Sequence, residues 1–169
     1  KTLFAAFDQF RVLCAQRFGD FGANAINQVM GEHLQHALND QNVRSGGWYV
    51  GRPVMITRND YGLRLSNGDI GVCLADAEGR LWVYFPDRAA PIAATRLPPE
   101  QIETAFALTI HKSQGSEFSV VAMVLDASAE EMLTRELVYT AITRAKKCIQ
   151  VWSDKTLLLN AITKKSNRI

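Results

Sequence analysis

The sequence has little that would staple, anchor or strongly charge it. Its 169 residues include only three cysteines, Cys14, Cys73 and Cys148, far apart, each in an apolar stretch and with no Cys-x-x-Cys pair. Such spacing argues against a disulfide framework, a zinc site or a redox pair, and predicts three reduced core thiols in a cytoplasmic protein. No apolar run approaches the ~20 residues of a membrane-spanning helix. The start, Lys1-Thr2-Leu3-Phe4, lacks the charged, apolar, then small pattern of a signal peptide. A Gly-x-x-x-x-Gly-Lys-Ser/Thr loop is missing as well, so nothing in the chain can cradle β- and γ-phosphates. Neither sign of charge dominates: 19 basic against 17 acidic residues leave +2, which permits a nucleic-acid partner without arguing for one.

What is present is a globular composition, 47% apolar and 21% charged, in three stretches of different texture. Residues 10–15 form an apolar run suited to a buried strand. From Gly22 the apolar positions Ile26, Met30, Leu34 and Leu38 recur every four residues, predicting an amphipathic helix that Asn39-Asp40 ends. Between 46 and 100 the period changes to two, at Ile70, Val72 and Leu74 and again at Leu81, Val83 and Phe85. Asn67-Gly68 is a turn signal there, and Pro98-Pro99 reads as a boundary. So short a run of strands is expected to curl into a small barrel. After residue 100 the α/β texture returns, with strand candidates at 106–110, 120–125 and 149–152, and helices at 131–143 and 157–162. The organisation predicted is one α/β domain from 1–45 and 101–169, interrupted by a β-barrel insertion at 46–100. The basic tail after Lys164 is expected to fray.

Two runs carry chemistry. In Thr109-Ile110-His111-Lys112-Ser113-Gln114-Gly115-Ser116-Glu117-Phe118 a hydroxyl, an imidazole, an ammonium, an amide, a glycine and a carboxylate follow one apolar strand. Strand ends are where open α/β sheets bind ligands. Thr109, His111 and Lys112 can donate to phosphates, Gly115 admits close backbone approach, and Glu117 can accept from a ribose hydroxyl. The second run, Val138 to Lys147, brings Arg144 to the end of a helix. There it could point at the same sheet edge and stabilise charge on a transferring phosphoryl group, or simply complement the helix C-terminus. Asp126, ending Val121–Leu125, imitates a magnesium-binding strand end but lacks a following acid, and is read as the end of a core strand.

Together, "TIHKSQGSEF" and "VYTAITRAKK" resemble motifs V and VI of superfamily 1 helicases, in wording nearest the RecD-type branch. "VLCAQRFGDFGANAIN" resembles that branch's motif IV, and "GRPVMITRNDYGLRLSNGDIG" the SH3-like barrel inserted in its second RecA-like domain. The resemblance runs from about residue 10 to 163 and favours the alpha subunit of bacterial exodeoxyribonuclease V. It implies a 5′–3′ DNA helicase driven by ATP and magnesium, acting in double-strand break repair and recombination with beta and gamma subunits, without a membrane. It also implies roles. Arg144 is the arginine finger, with Arg17 at the position of an assisting basic residue. Gly115, Ser116 and Glu117 lie beside nucleotide. Thr109, His111, Lys112 and Gln114, with Asn59 of the barrel, contact DNA. The chain's own residues imply no metal site, and the chain alone is expected to be inactive as an ATPase.

Other readings stay open at this point. They are a free-standing RecD-like helicase, a conjugative relaxase-helicase, a subunit-docking surface, or a nucleic-acid module in which Trp48, Tyr49, Tyr61, Trp82 and Tyr84 stack on bases beside Arg52, Arg58 and Arg64.

Overall fold

The computed structural model describes residues 2–38 and 47–165. The strands are β1 (Phe10–Cys14), β2 (Pro53–Ile56), β3 (Ile70–Ala75), β4 (Leu81–Tyr84), β5 (Ile92–Ala93), β6 (Ile102–Thr104), β7 (Ala107–Thr109), β8 (Phe118–Val124) and β9 (Ala145–Trp152). The helices are α1 (Thr2–Phe7), α2 (Ala23–Ala37), α3 (Arg135–Ile142) and α4 (Lys155–Thr163). They form two compact units, one of Lys1–Ile26 with Phe106–Ile169 and one of Asn27–Ala105. No helix among the described residues is long and apolar enough to cross a membrane.

The first unit is an α/β layer on a parallel sheet ordered β7-β1-β8-β9. Near-continuous apolar runs make its central strands, as expected for strands covered on both faces. Leu13, Cys14, Val121 and Met123 are all 0% exposed. Helix α3 starts where the Thr134 hydroxyl accepts from Leu137 N, and it buries Leu137, Val138 and Ala141. Helix α4 is capped by Asp154, which accepts from Thr156 N and Leu157 N, and it buries Leu157 and Ala161, one turn apart. Strand β9 pairs with β8 and ends the sheet order, and most of its residues face solvent on both faces. That corrects the expectation of three core thiols: Cys14 and Cys73 are buried, whereas Cys148 is exposed. The apolar run around Cys148 marks a strand but does not show whether its faces are covered: β7, at the other edge of the sheet, is mostly buried, whereas β9 is mostly exposed.

The second unit is an antiparallel sheet ordered β5-β4-β3-β2-β6 around one core, which includes Val54, Ile56, Cys73, Val83, Phe85 and Ile92. Strand β6 pairs with β2, and Ala105 N donates to Pro53 O at 3.0 Å. The unit therefore runs to Ala105, beyond the boundary expected at residue 100. Pro99 opens a single 3-10 turn inside it. The expected junction at 45/46 and the helix end at Asn39-Asp40 lie outside the described residues. The unit instead takes in α2 from Asn27 onward. In that half of the helix the expected apolar stripe is only half-buried at Met30 and Leu34, and Leu38 is 50% exposed. The buried positions are Asn27, whose amide donates to Thr104 O at 2.8 Å, and Gly31. A Cβ on Gly31 would stand 2.5 Å from the Tyr49 hydroxyl, so glycine is what lets that ring in.

Turn chemistry sets the registers. Asn67-Gly68 is a turn, with Gly68 at φ 96°. Between β3 and β4, Asp76 accepts from Arg80 N, Arg80 Nε and Trp82 Nε1 at 2.8–2.9 Å. Partial burial alone would raise its pKa, but these hydrogen bonds and the Arg80 charge bring it down to about 2.

Two tests follow from this packing. A thiol reagent should modify Cys148 in the native protein, while Cys14, whose burial raises its pKa to about 12, and Cys73 react only on unfolding. Two or more reactive thiols in the native state would contradict the packing. Because Asp76 is depressed from 3.8 to about 2 on folding, its contribution is full above pH 3.8 and is lost as pH falls toward 2. Acid titrations of Asp76→Asn should lack that part of the stability loss.

Candidate functional site

The run from Thr109 to Phe118 is a crossover spanning the height of the sheet. Strand β7 pairs with β1 at Thr109↔Cys14, and β1 pairs with β8 at Cys14↔Val124. Thr109 is therefore level with the end of β8, six residues from where β8 begins at Phe118. At about 3.3 Å per residue that separation is on the order of 20 Å. The chain returns in eight residues and passes β1, which lies between β7 and β8 in the sheet. Ile110 and Ser113, both 0% exposed, anchor it, and the Ser113 hydroxyl donates to Ile110 O at 2.7 Å.

At the carboxyl edge of the strands, the Thr109 hydroxyl accepts from Lys112 N at 3.3 Å and starts a 3-10 turn at His111–Ser113. Thr109 still has its own O–H to donate. His111, Lys112 and Gln114 are exposed around it. Arg17 is also at this edge, exposed on the loop leaving β1, with its guanidinium 5.2 Å from the Phe18 ring centre. Asp126, at the end of β8, accepts from Ser128 N and Ser128 Oγ, and those hydrogen bonds lower its pKa.

At the opposite edge, where Phe118 pairs with Ala145, the loop's second half meets Arg144. Arg144 Nη1 donates to Ser116 O at 3.1 Å, Nε to Thr140 O at 3.2 Å, and Nη2 to Thr143 Oγ1 at 3.1 Å. Phe118 N donates to Arg144 O at 2.8 Å. Lys146 Nζ stands 3.6 Å from Glu117 Oε2, both more than half exposed, an ion pair worth roughly 0–1 kcal/mol. Gly115 has φ 86°, a left-handed conformation that favours glycine, and a Cβ there would meet nothing within 4 Å, so the space above it is open.

The structure thus joins Arg144 to Ser116 and puts Gly115 and Glu117 beside them. It separates this group from Thr109, His111 and Arg17, so the sequence expectation of one shared edge is corrected. The cause is topological: a helix returning between parallel strands delivers its last residue to the amino edge. Sequence reasoning missed Thr140 and Thr143, which hold Arg144; Thr140, four residues before it on a helix, was a usable signal. In the second unit the Asn59 side-chain oxygen accepts from Asn67 N, and Asp69 accepts from Ser66 N. Trp48 and Tyr49 are core residues at 4% and 7% exposure, so they present no stacking surface.

The first unit is a parallel α/β domain in which a crossover loop meets an arginine at the next helix end, and among known proteins the chain is similar to helicases. Residues 104–149 match the UvrD-like helicase C-terminal domain. The fold is similar to Pif1 helicase from Candida albicans (TM-score 0.59, 16% identity, 94% of this chain and 47% of that one). It is also similar to Pif1 helicase from Bacteroides in complex with ADP-AlF3 and single-stranded DNA (TM-score 0.55, 15% identity, 90% of this chain and 44% of that one). Sequence relatives are more specific. The RecBCD enzyme subunit RecD of Haemophilus influenzae is 41% identical over 160 residues, 92% of this chain and 23% of the relative. That of Mycolicibacterium smegmatis is 40% identical over 97% of this chain and 28% of the relative. That of Buchnera aphidicola is 35% identical over 100% of this chain and 29% of the relative. The chain belongs to this RecD family and spans less than a third of the length of these relatives.

Arg144→Ala would leave the Ser116 and Thr140 carbonyls without this donor. Hydrogen exchange of residues 114–117 should then rise, with a stability loss of about 1–3 kcal/mol. Unchanged exchange there would show that the guanidinium does not hold the loop.

Proposed function

We propose that the chain is the second motor half of an ATP-dependent 5′–3′ DNA helicase subunit, the alpha subunit of exodeoxyribonuclease V. In this reading it works in the cytoplasm with beta and gamma subunits on DNA ends, in break repair and recombination. The observation that carries the reading is the hydrogen bond from Arg144 to Ser116 O, which couples the two segments whose sequences resemble motifs VI and V. The relatives' names, RecBCD enzyme subunit RecD, support the assembly.

The residues present fit half of a site for ATP; magnesium belongs to the full-length protein in this reading, and no group of metal-ligating side chains is found among the described residues. Arg144 offers a fixed positive charge, the backbone at Gly115 is open to a ligand, and Glu117 can accept from a ribose hydroxyl. The bound nucleotide supplies the phosphoryl group whose transfer to water releases the driving energy. Nothing in this sequence can cradle the β- and γ-phosphates, so the chain alone is inactive as an ATPase. At the other end of the crossover, Thr109, His111, Lys112 and Gln114 hold the DNA backbone. Arg17 groups with them by position, and its reading as an assistant to Arg144 loses support. Asn59 acts on DNA only through the loop it shapes. Five antiparallel strands in the order β5-β4-β3-β2-β6, sharing one core, support the SH3-like barrel reading of the second unit, in which β5 and β6 would be the ends brought together. The proposed nucleotide and DNA groups occupy opposite ends of one covalent segment, which is anchored at Ile110 and Ser113. A nucleotide-driven displacement at Arg144 has a route along it to Thr109, whereas loss of the Arg144 side chain removes no DNA contact.

Arg144→Ala in the full-length subunit should lower ATPase by roughly 10³-fold or more, while single-stranded DNA affinity changes by less than threefold. Normal turnover in that variant would refute the assignment.

A further inference from the structure

A cleft of about 390 Å³ opens at the carboxyl ends of β8 and β9, lined by Phe21, Ile26, Val124, Trp152, Asp126 and Asp154 among others. Val124 and Trp152 are register partners on neighbouring strands, so their side chains share one face of the sheet. Phe21 and Trp152, 56% and 65% exposed, are large aromatic surfaces left in water. Asp126 is oriented by Ser128, and Asp154 by the first amides of α4. Each carboxylate keeps further lone pairs. A phosphate would be repelled by this pair of acids. A planar ring carrying an amino group would suit both the aromatic walls and the rim.

The cleft also lies on the Thr109 edge, because Cys14 is level with both Thr109 and Val124. Strands β7 and β9 are three places apart, about 14 Å at the usual spacing. That is roughly the reach of two nucleotides of extended single strand.

We propose that this cleft receives one unpaired, amino-bearing base, cytosine or adenine, from the strand whose backbone is held at Thr109, His111 and Lys112. The base stacks on Trp152 against Phe21, and its exocyclic amine donates to Asp126 or Asp154, as carboxylates accept from cytosine N4 elsewhere. Thymine carries carbonyl oxygens in place of that amine and fits less well. This inference rests on the DNA-binding reading above.

The test uses the full 169-residue chain and 12-nucleotide single strands of dC and dT at low salt. Expected are quenching of Trp152 fluorescence by dC12, dC12 binding at least threefold tighter than dT12, and an affinity loss of roughly fivefold or more in Trp152→Ala. Trp152→Phe should keep most of the affinity while losing the quench, which guards against a misfolded alanine variant. Asp126→Asn, which can still cap the following turn, should narrow the dC preference. Suppose Lys112→Ala weakens binding and lowers its salt dependence, while Trp152→Ala and the choice of base have no effect. The cleft is then not a base site, and the DNA-binding reading stands. If the chain binds neither strand, both fall.

Discussion

The guanidinium of Arg144 is the constraint on which the site depends. Its bonds to Ser116 O, Thr140 O and Thr143 Oγ1 tie a helix end to a loop 28 residues earlier in sequence. Charge-assisted bonds from one planar group to three acceptors give both strength and direction. The parallel pairing of β8 with β9 is what brings the partners within reach, since it sets Phe118 beside Ala145. Without that register, the arginine would be an ordinary cation at a helix C-terminus.

The crossover gives this clamp its second consequence. Two of its residues, Ile110 and Ser113, are fully buried anchors, whereas His111, Lys112, Gln114, Gly115 and Glu117 are exposed. A displacement that reaches these two anchors strains their packing, because close-packed interiors transmit displacement. In the proposed function this joins the nucleotide edge to the DNA edge without a separate hinge. The second unit has its own core and its own turn chemistry at Asn59, Asp60, Asp69 and Asp76, in which each side-chain oxygen accepts from a backbone amide.

Much of this could be read from residues alone. The strand runs around Leu13 and Met123, the helix carrying Leu137 and Ala141, the Asn67-Gly68 turn and the change of period after residue 46 each have a local cause. Periodicity and turn preference are local properties, so a single sequence expresses them. The chemistry of the Thr109–Glu117 run was visible too, as a density of donors beside a carboxylate. What misled was adjacency. Residues close in sequence, Thr109 and Glu117, belong to opposite edges, while Ser116 and Arg144 meet. Pro98-Pro99 looked like a boundary, yet the chain goes on to pair β6 with β2. The stripe of α2 pointed to Met30 and Leu34, yet Asn27 and Gly31 are the buried positions because Thr104 O and Tyr49 come to meet them.

The sequence by itself determined the classes of element, the two kinds of sheet and the residue types available for phosphate and nucleic-acid chemistry, since these follow from side-chain pattern and local backbone preference. Only the tertiary structure decided which of those residues share an edge, which thiol faces solvent, and that Arg144 is held by Ser116 and Thr140. Strand order and register are set by long-range packing and ladder hydrogen bonds, and neither is encoded in the neighbours of any one residue.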